Sequence, residues 1–544
     1  MAHPLAGHKA QIESLINVDA LVAAYYANTP DCSMAAQRVS FGTSGHRGKS
    51  SNASFTDAHV AAITQAICDG REQFGATGIC YVGQDTHALS QPALKTVREV
   101  LAGNGVIAGI DASGDFVPTP SVSRAIIREN AKVKAGGHLV DGIIITPSHN
   151  PPDDGGIKYN PINGGPADTV ITKWIEDRAN SYLENNNAGV KRIAFEEIPP
   201  TLQQLYEFKK LYVQELAEIL NMDIIQAVNP RVLVNALGGS GMAYWQTIKE
   251  TYNLNLDIVN GEYDPTFSFM SYDHDGVIRM DCSSEFAMTE VIKQIGEYDL
   301  AVGNDPDYDR YGIVTDQGLL NANKYLATAG SYLFGTRQWG NKGFGKTVVV
   351  TNLVDRLCAD RHIPVYEVPV GFKYFADLLF EGQVGIAGEE SAGASFLKKD
   401  GTVWTTDKDG IVMALLSLEI LAATGKDPAA YYEGLAKRYG SSVFSRTDAA
   451  CTPEEKTVLK ALNPTAVKAT ALNGETIIDI RTTSLYKDYD IGGLRITTDS
   501  GWVVARPSGT ENLYKIYGES FKGESELESL LSEGQKLVSQ ALKK

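Results

Sequence analysis

The chain is 544 residues long and 43% hydrophobic, with a formal net charge of −17. That length suggests roughly three or four domains at about 150 residues each. The acidic excess repels nucleic acid and anionic lipid, which argues against both as partners, and an anionic substrate has to be met by local clusters of Arg and Lys.

The first twelve residues are mixed, carry His3, His8 and Lys9, and hold no apolar run of the signal-peptide kind. Amphipathic spacing predicts helices over 57–74 and 91–103, and the β-branched run 142–146 reads as a buried strand. A polar loop at 184–189 and Ile198-Pro199-Pro200 mark a break near 205. Strands follow at 231–235 and 300–303, with a helix over 285–295 between them. Beyond a break near 325 come strands at 347–351 and 384–387. The apolar stretch 411–423 contains Glu419 and is too short to span a bilayer. After a break near 440 the pattern changes to strands at 494–498, 502–505 and 513–517 and a closing helix over 524–542. Alternating strands and helices predict α/β units, and the C-terminal part reads as α+β. The expected domains are 1–205, 206–324, 325–440 and 441–544. The six cysteines form no C-x-x-C pair and read as reduced thiols, so a cytoplasmic protein is expected.

Five loops carry chemistry. Thr146-Pro147-Ser148-His149-Asn150-Pro151 leaves a predicted strand, and its prolines exclude a helix. Ser148 beside His149 suits a nucleophile, although a polar turn has the same composition and the G-x-S-x-G elbow is absent. In Asp305-Pro306-Asp307-Tyr308-Asp309-Arg310 three carboxylates recur with period two, which in an extended segment aims them the same way. Such a group is either a site for a hard cation, with Mg²⁺ favoured, or a solvated acidic turn. An EF-hand is excluded by Arg310 and Asp316 where that loop needs Gly and Glu. Arg506-Pro507-Ser508-Gly509-Thr510-Glu511-Asn512 and Phe41-Gly42-Thr43-Ser44-Gly45-His46-Arg47-Gly48 offer hydroxyls, glycines and a guanidinium to an anion. Gly388-Glu389-Glu390-Ser391-Ala392-Gly393 offers Glu389 and Ser391 to sugar hydroxyls.

In this order the five loops resemble the α-D-phosphohexomutase family, over a span from Phe41 to Asn512. The resemblance implies four domains around a central cleft, the first three mixed-sheet α/β/α units and the last α+β. It implies reversible interconversion of glucose 1-phosphate and glucose 6-phosphate, with a phosphorylated Ser148 and glucose 1,6-bisphosphate as intermediate and activator. One Mg²⁺ per chain would rest on Ser148, Asp305, Asp307 and Asp309. Arg47, His149, Lys158 and Arg310 would line the reacting phosphate, with His149 or Lys158 taking the proton. Thr43, Gly371, Lys373, Glu389, Ser391, Lys408, Arg506, Ser508, Gly509 and Thr510 would contact substrate. Val370 stands where relatives often have Thr. A mannose or glucosamine phosphate substrate, an Asp-x-Asp phosphatase and a non-catalytic sugar-phosphate binder are the rival readings, and the chain is expected as a monomer or homodimer.

Overall fold

The computed structural model describes residues 2–42, 44–507 and 513–542. The first unit is built on strands β1 (His46–Lys49), β2 (Cys80–Gln84), β3 (Ala108–Asp111), β4 (Asp141–Ile145), β5 (Asp154–Asn160) and β6 (Gln203–Tyr206). Their order is β1-β5-β4-β2-β3-β6. From β4 to β6 the neighbours are parallel; β5 runs antiparallel between β1 and β4. The apolar run of β4 follows from burial on both faces. Ile143 and Ile145 pack with Val60 and Val97 of two helices, and Ile144 packs with Val122 and Ile126 of a third on the other side.

The second sheet, β7 (Val232–Asn235), β8 (Leu256–Val259), β9 (Leu300–Asn304), β10 (Tyr311–Thr315) and β11 (Gly318–Leu319), has the order β11-β10-β9-β7-β8. The third, β12 (Gly343–Thr347), β13 (Val365–Val368), β14 (Val384–Gly388) and β15 (Ala394–Phe396), has the order β13-β12-β14-β15. In both, an antiparallel hairpin (β9–β10, β14–β15) carries a chemistry-bearing loop at its tip.

The fourth unit holds β16 (Val443–Ala450), a small pair β17 (Ala471–Leu472) and β18 (Glu475–Thr476), then β19 (Asp479–Thr483), β20 (Asp490–Thr497), β21 (Gly501–Pro507) and β22 (Leu513–Ser520). Its main sheet is antiparallel, in the order β16-β22-β21-β20-β19. The helix Glu524–Leu542 seats Leu527, Leu530 and Val538 among Val503 and Ile516 of that sheet.

Three expectations shift. The strand read at 347–351 is β12, four residues earlier. Val348 and Val349 owe their apolar character to packing on Trp502 and Val504 of the fourth unit. The helix read over 285–295 is only Thr289–Gln294, because Ser283 and Ser284 bond to Asp281 and Asp273 and hold the preceding stretch in turns. The N-terminal arm, expected with the first unit, lies on the second. His3 N–H donates to His274 O at 2.8 Å, Lys9 bridges Ser271, and Ala10 and Leu15 pack on the second unit's apolar cluster.

The helix Gly410–Thr424 is buried almost throughout, which accounts for its uniform apolarity, and Asp409 caps it through the Ile411 and Val412 amides. Among the described residues no helix is long and apolar enough to cross a membrane. Leu416→Ala should cost about 2–5 kcal/mol of stability through the cavity it leaves, with KM unchanged, which thermal melts and initial rates will check.

Candidate active site

Ser148 sits at the C-terminal end of β4, where open α/β sheets present ligands. Its φ of 62° places a non-glycine residue in the left-handed region. The turn is held by its own neighbours: Ser148 N–H donates to Thr146 Oγ1 at 2.7 Å, and Thr146 N–H donates to Gly156 O at 2.9 Å. Gly156 is required here, since a Cβ would lie 2.2 Å from the Thr146 carbonyl oxygen. So held, Ser148 Oγ donates to Asp305 Oδ2 at 2.9 Å and lies 3.3 Å from His149 Nδ1.

Asp305, Asp307 and Asp309 are buried, with carboxylate oxygens all within 4.8 Å of one another. They converge through a tight turn between β9 and β10, not the extended segment expected. Tyr308 is left-handed at φ 62°, and Asp305 Oδ1 accepts from Arg310 N–H at 2.9 Å. Asp307 Oδ2 accepts from Lys158 Nζ and Thr119 Oγ1, both at 2.7 Å. Asp309 Oδ2 faces Lys158 at 3.3 Å and Lys408 at 2.9 Å. Asp307 Oδ1 and Asp309 Oδ1 are buried without a hydrogen-bond partner. Buried carboxylate oxygens rarely stay unpaired, so a hard cation fits this donor set. Burial, then Asp307 and Asp309, push the Asp305 pKa well up, while Lys408 and Lys158 outweigh burial and hold Asp309 low.

A cavity of about 490 Å³ opens from this point and is lined by all four units. Arg47, Ser148, His149 and Lys158 line it from the first, Asp309 and Arg310 from the second, and Lys373, Glu389, Ser391 and Lys408 from the third. Arg47 Nε donates to Pro147 O at 3.2 Å. Burial, then Arg310, depress His149 to about 3 and leave a neutral imidazole. Lys158 is held charged, since Asp307 and Asp309 outweigh its burial. Burial raises Glu389 to about 7, and its Oε1 accepts from Gly371 N–H at 3.1 Å. Arg506 stands at the end of β21 and donates from Nε to Ile491 O at 2.9 Å; it does not line the cavity. Thr43, Ser508, Gly509 and Thr510 lie outside the described residues.

Sequence reasoning missed Asp281, which lies 3.9 Å from His149 Nε2 and 3.6 Å from Arg310, and nothing local distinguishes it. It also missed Arg446, Lys515 and Tyr517 on the fourth unit's cavity wall. Lys515 and Tyr517 were legible, because residues two apart on a strand share a face, and Arg446 pairs with Tyr517 across β16–β22. The chain is acidic overall, yet Arg47, Arg310, Lys373, Lys408, Arg446 and Lys515 face one cavity. Asp281, Asp309, Glu389, Glu390 and Asp407 share that lining, and the remaining surplus of positive charge suits an anionic ligand.

Four family models match the chain in order. They describe phosphoglucomutase/phosphomannomutase α/β/α domain I over residues 38–186, domain II over 210–318, domain III over 321–439 and the C-terminal domain over 451–533. A phosphoglucomutase of Komagataeibacter xylinus is 48% identical over 541 residues, 98% of this chain and 97% of its own. Phosphoglucomutase 1 of Saccharomyces cerevisiae is 27% identical over 534 residues, 89% and 88% of the two chains. The open form of Paramecium pp63/parafusin, a phosphoglucomutase, superposes with a TM-score of 0.75 at 20% identity, covering 94% of this chain and 96% of that one, and so shares the fold. With matched domains along most of its length and a relative at 48% identity over almost all of it, the chain belongs to the phosphoglucomutase/phosphomannomutase family.

Proposed function

We propose that the chain interconverts glucose 1-phosphate and glucose 6-phosphate, with Ser148 as the phosphoryl carrier. The observation that carries this reading is Ser148 Oγ, 2.9 Å from Asp305, at the floor of a cavity walled with cations. In the forward step the substrate's 6-hydroxyl attacks the phosphorus on Ser148. The new O–P bond forms as the P–Oγ bond breaks, and the hydroxyl proton is relayed to the freed Oγ, with the neutral His149 imidazole, 3.3 Å from that oxygen, as the relay. Lys158 is held charged by two carboxylates and serves as a counter-charge. The product, glucose 1,6-bisphosphate, turns end for end. Ser148 Oγ then takes the 1-phosphoryl group as that O–P bond breaks, its proton returns by the same relay to the freed 1-oxygen, and glucose 6-phosphate leaves. A loose phosphoryl-transfer transition state asks mainly for positioning and positive charge, which Arg47, Arg310 and Lys408 provide. Asp305, Asp307, Asp309 and Ser148 would hold Mg²⁺, which neutralises charge on the transferring group.

Glu389, Ser391, Gly371 and Lys373 would form the sugar-facing wall, and Arg506, although it does not line the cavity in this arrangement, would with Ser508, Gly509 and Thr510 receive the phosphate not in transfer. The described lining comes from all four units of a single chain, in keeping with a monomer. All six cysteines are free thiols, in keeping with a cytoplasmic setting. The test is incubation with glucose 1-phosphate, Mg²⁺ and a trace of glucose 1,6-bisphosphate. Glucose 6-phosphate without free phosphate supports the reading. Phosphate release points to a phosphatase, and faster turnover of mannose or glucosamine 1-phosphate to another hexose.

Glu389 accepts sugar hydroxyls best as a carboxylate. Its raised pKa means that it gains charge as pH rises through about 7, so KM should fall across that range. Glu389→Gln should raise KM about tenfold and remove that limb. The substrate phosphate also titrates near 6, in both proteins alike, so the difference between the two KM–pH profiles isolates Glu389. Parallel profiles would sink the assignment.

A further inference from the structure

The turn that follows β2 carries Asp85 and His87, both fully buried, and neither lines the cavity. Every side-chain polar atom of this pair is committed. Asp85 Oδ1 accepts from His87 N–H at 3.0 Å and Ser90 Oγ at 2.6 Å. Asp85 Oδ2 accepts from His87 Nδ1 at 2.8 Å and Thr146 Oγ1 at 2.6 Å. His87 Nε2 lies 3.1 Å from the Asn150 carbonyl oxygen. Thr146 Oγ1 in turn accepts from Ser148 N–H. The chain on both sides of Ser148 is thereby tied to one carboxylate–imidazole pair on the neighbouring strand.

Ser148 needs such ties. Its left-handed backbone costs a non-glycine residue about 1–2 kcal/mol, so it persists only where the surroundings fix it. Thr146 orients its N–H from one side, and His87 holds Asn150 from the other. Both partners of the His87 ring are acceptors, a carboxylate and a carbonyl, so the geometry calls for a proton on each ring nitrogen. The charges facing the ring are Asp85 on its own turn and Asp154 on β5, and Phe267 of the second unit packs on it at 5.2 Å. A doubly protonated imidazole is at home there.

We propose that Asp85 and His87 are positioning residues for phosphoryl transfer, and that a His87 ring donating from both nitrogens locks the Ser148 turn in its reactive geometry. The inference rests on Ser148 being the phosphoryl carrier. It predicts a loss in turnover and not in substrate binding, since neither residue touches the cavity. A displacement of about 1 Å at the carrier oxygen is worth ~100-fold in rate.

The experiment compares His87→Ala, His87→Gln, Thr146→Val and Thr146→Ser with wild type, by kcat, KM for glucose 1-phosphate and thermal melts. His87→Ala and Thr146→Val should lose about 100-fold in kcat with KM within about threefold. Thr146→Ser returns the hydroxyl and His87→Gln returns a donor to Asn150, and each should recover about tenfold of that loss. Folded variants with kcat within threefold of wild type overturn the proposal, as do losses that follow the folded fraction and are not relieved by the conservative changes. Where the truncations fail to fold, ¹⁵N-histidine NMR of the wild-type protein decides. Two ring N–H signals for His87 support the proposal, and one overturns it. A wild-type protein inert toward glucose 1-phosphate defeats the functional assignment instead, and leaves the ring-proton measurement standing.

Discussion

Ser148→Ala should reduce conversion of glucose 1-phosphate by on the order of 10⁴-fold or more while the protein stays folded. The change removes one oxygen. That oxygen makes two hydrogen bonds, donating to Asp305 at 2.9 Å and lying 3.3 Å from His149 Nδ1. Loss of each such bond costs about 1 kcal/mol. Alanine meets the same left-handed backbone as serine, and the Ser148 N–H bond to Thr146 does not involve the side chain. Structure therefore survives the change while the carrier is lost. Radiolabelled glucose 1,6-bisphosphate provides the direct check: wild-type protein should retain label on Ser148, and the variant none. Label on another residue, or turnover within tenfold of wild type, would show that the phosphoryl group travels elsewhere.

How much of this could be read from the sequence depends on whether a feature is local. Ser148 and the three aspartates were legible because each group lies within six residues and follows a buried strand. The apolar run of β4 was legible because both its faces are covered. Period two in the aspartate loop picked out three carboxylates that do converge, but by another geometry, since a left-handed Tyr308, not an extended strand, brings them together. Val348 and Val349 read as strand because burial against the fourth unit selects the same residue types as burial in a sheet. Asp281, and the Asp85–His87 pair, were illegible: each meets Ser148 or its neighbours only through sheet topology, across 60 or more positions in sequence. The arm that ties residues 3–10 to the second unit has no local signal either.

Asp305→Asn should abolish Mg²⁺-dependent turnover, by on the order of 10³-fold, and yet leave the metal-free protein at least as stable as wild type. Removing a buried, hydrogen-bonded carboxylate would ordinarily be costly. Asp305, however, makes no ion pair among the described residues, and Arg310 only partly offsets the loss; Lys158 and Lys408 engage Asp307 and Asp309. Burial and its two acidic neighbours both disfavour its charge. Asparagine removes the repulsion and can still accept from Arg310 N–H. Asp307→Asn should behave differently, because it takes away the oxygen nearest Lys158 and leaves that buried ammonium with Asp309 at 3.3 Å. It should melt below wild type in chelator, by about 3 kcal/mol. Added Mg²⁺ supplies the discriminating measurement. A ligand that binds only the folded state stabilises it by RT ln(1 + [L]/Kd), so wild-type protein should melt higher as Mg²⁺ is raised, and neither variant should respond in the same range. An unchanged Mg²⁺ response in both would place the cation away from the three aspartates, and would leave the unpaired oxygens of Asp307 and Asp309 to be explained by some other donor.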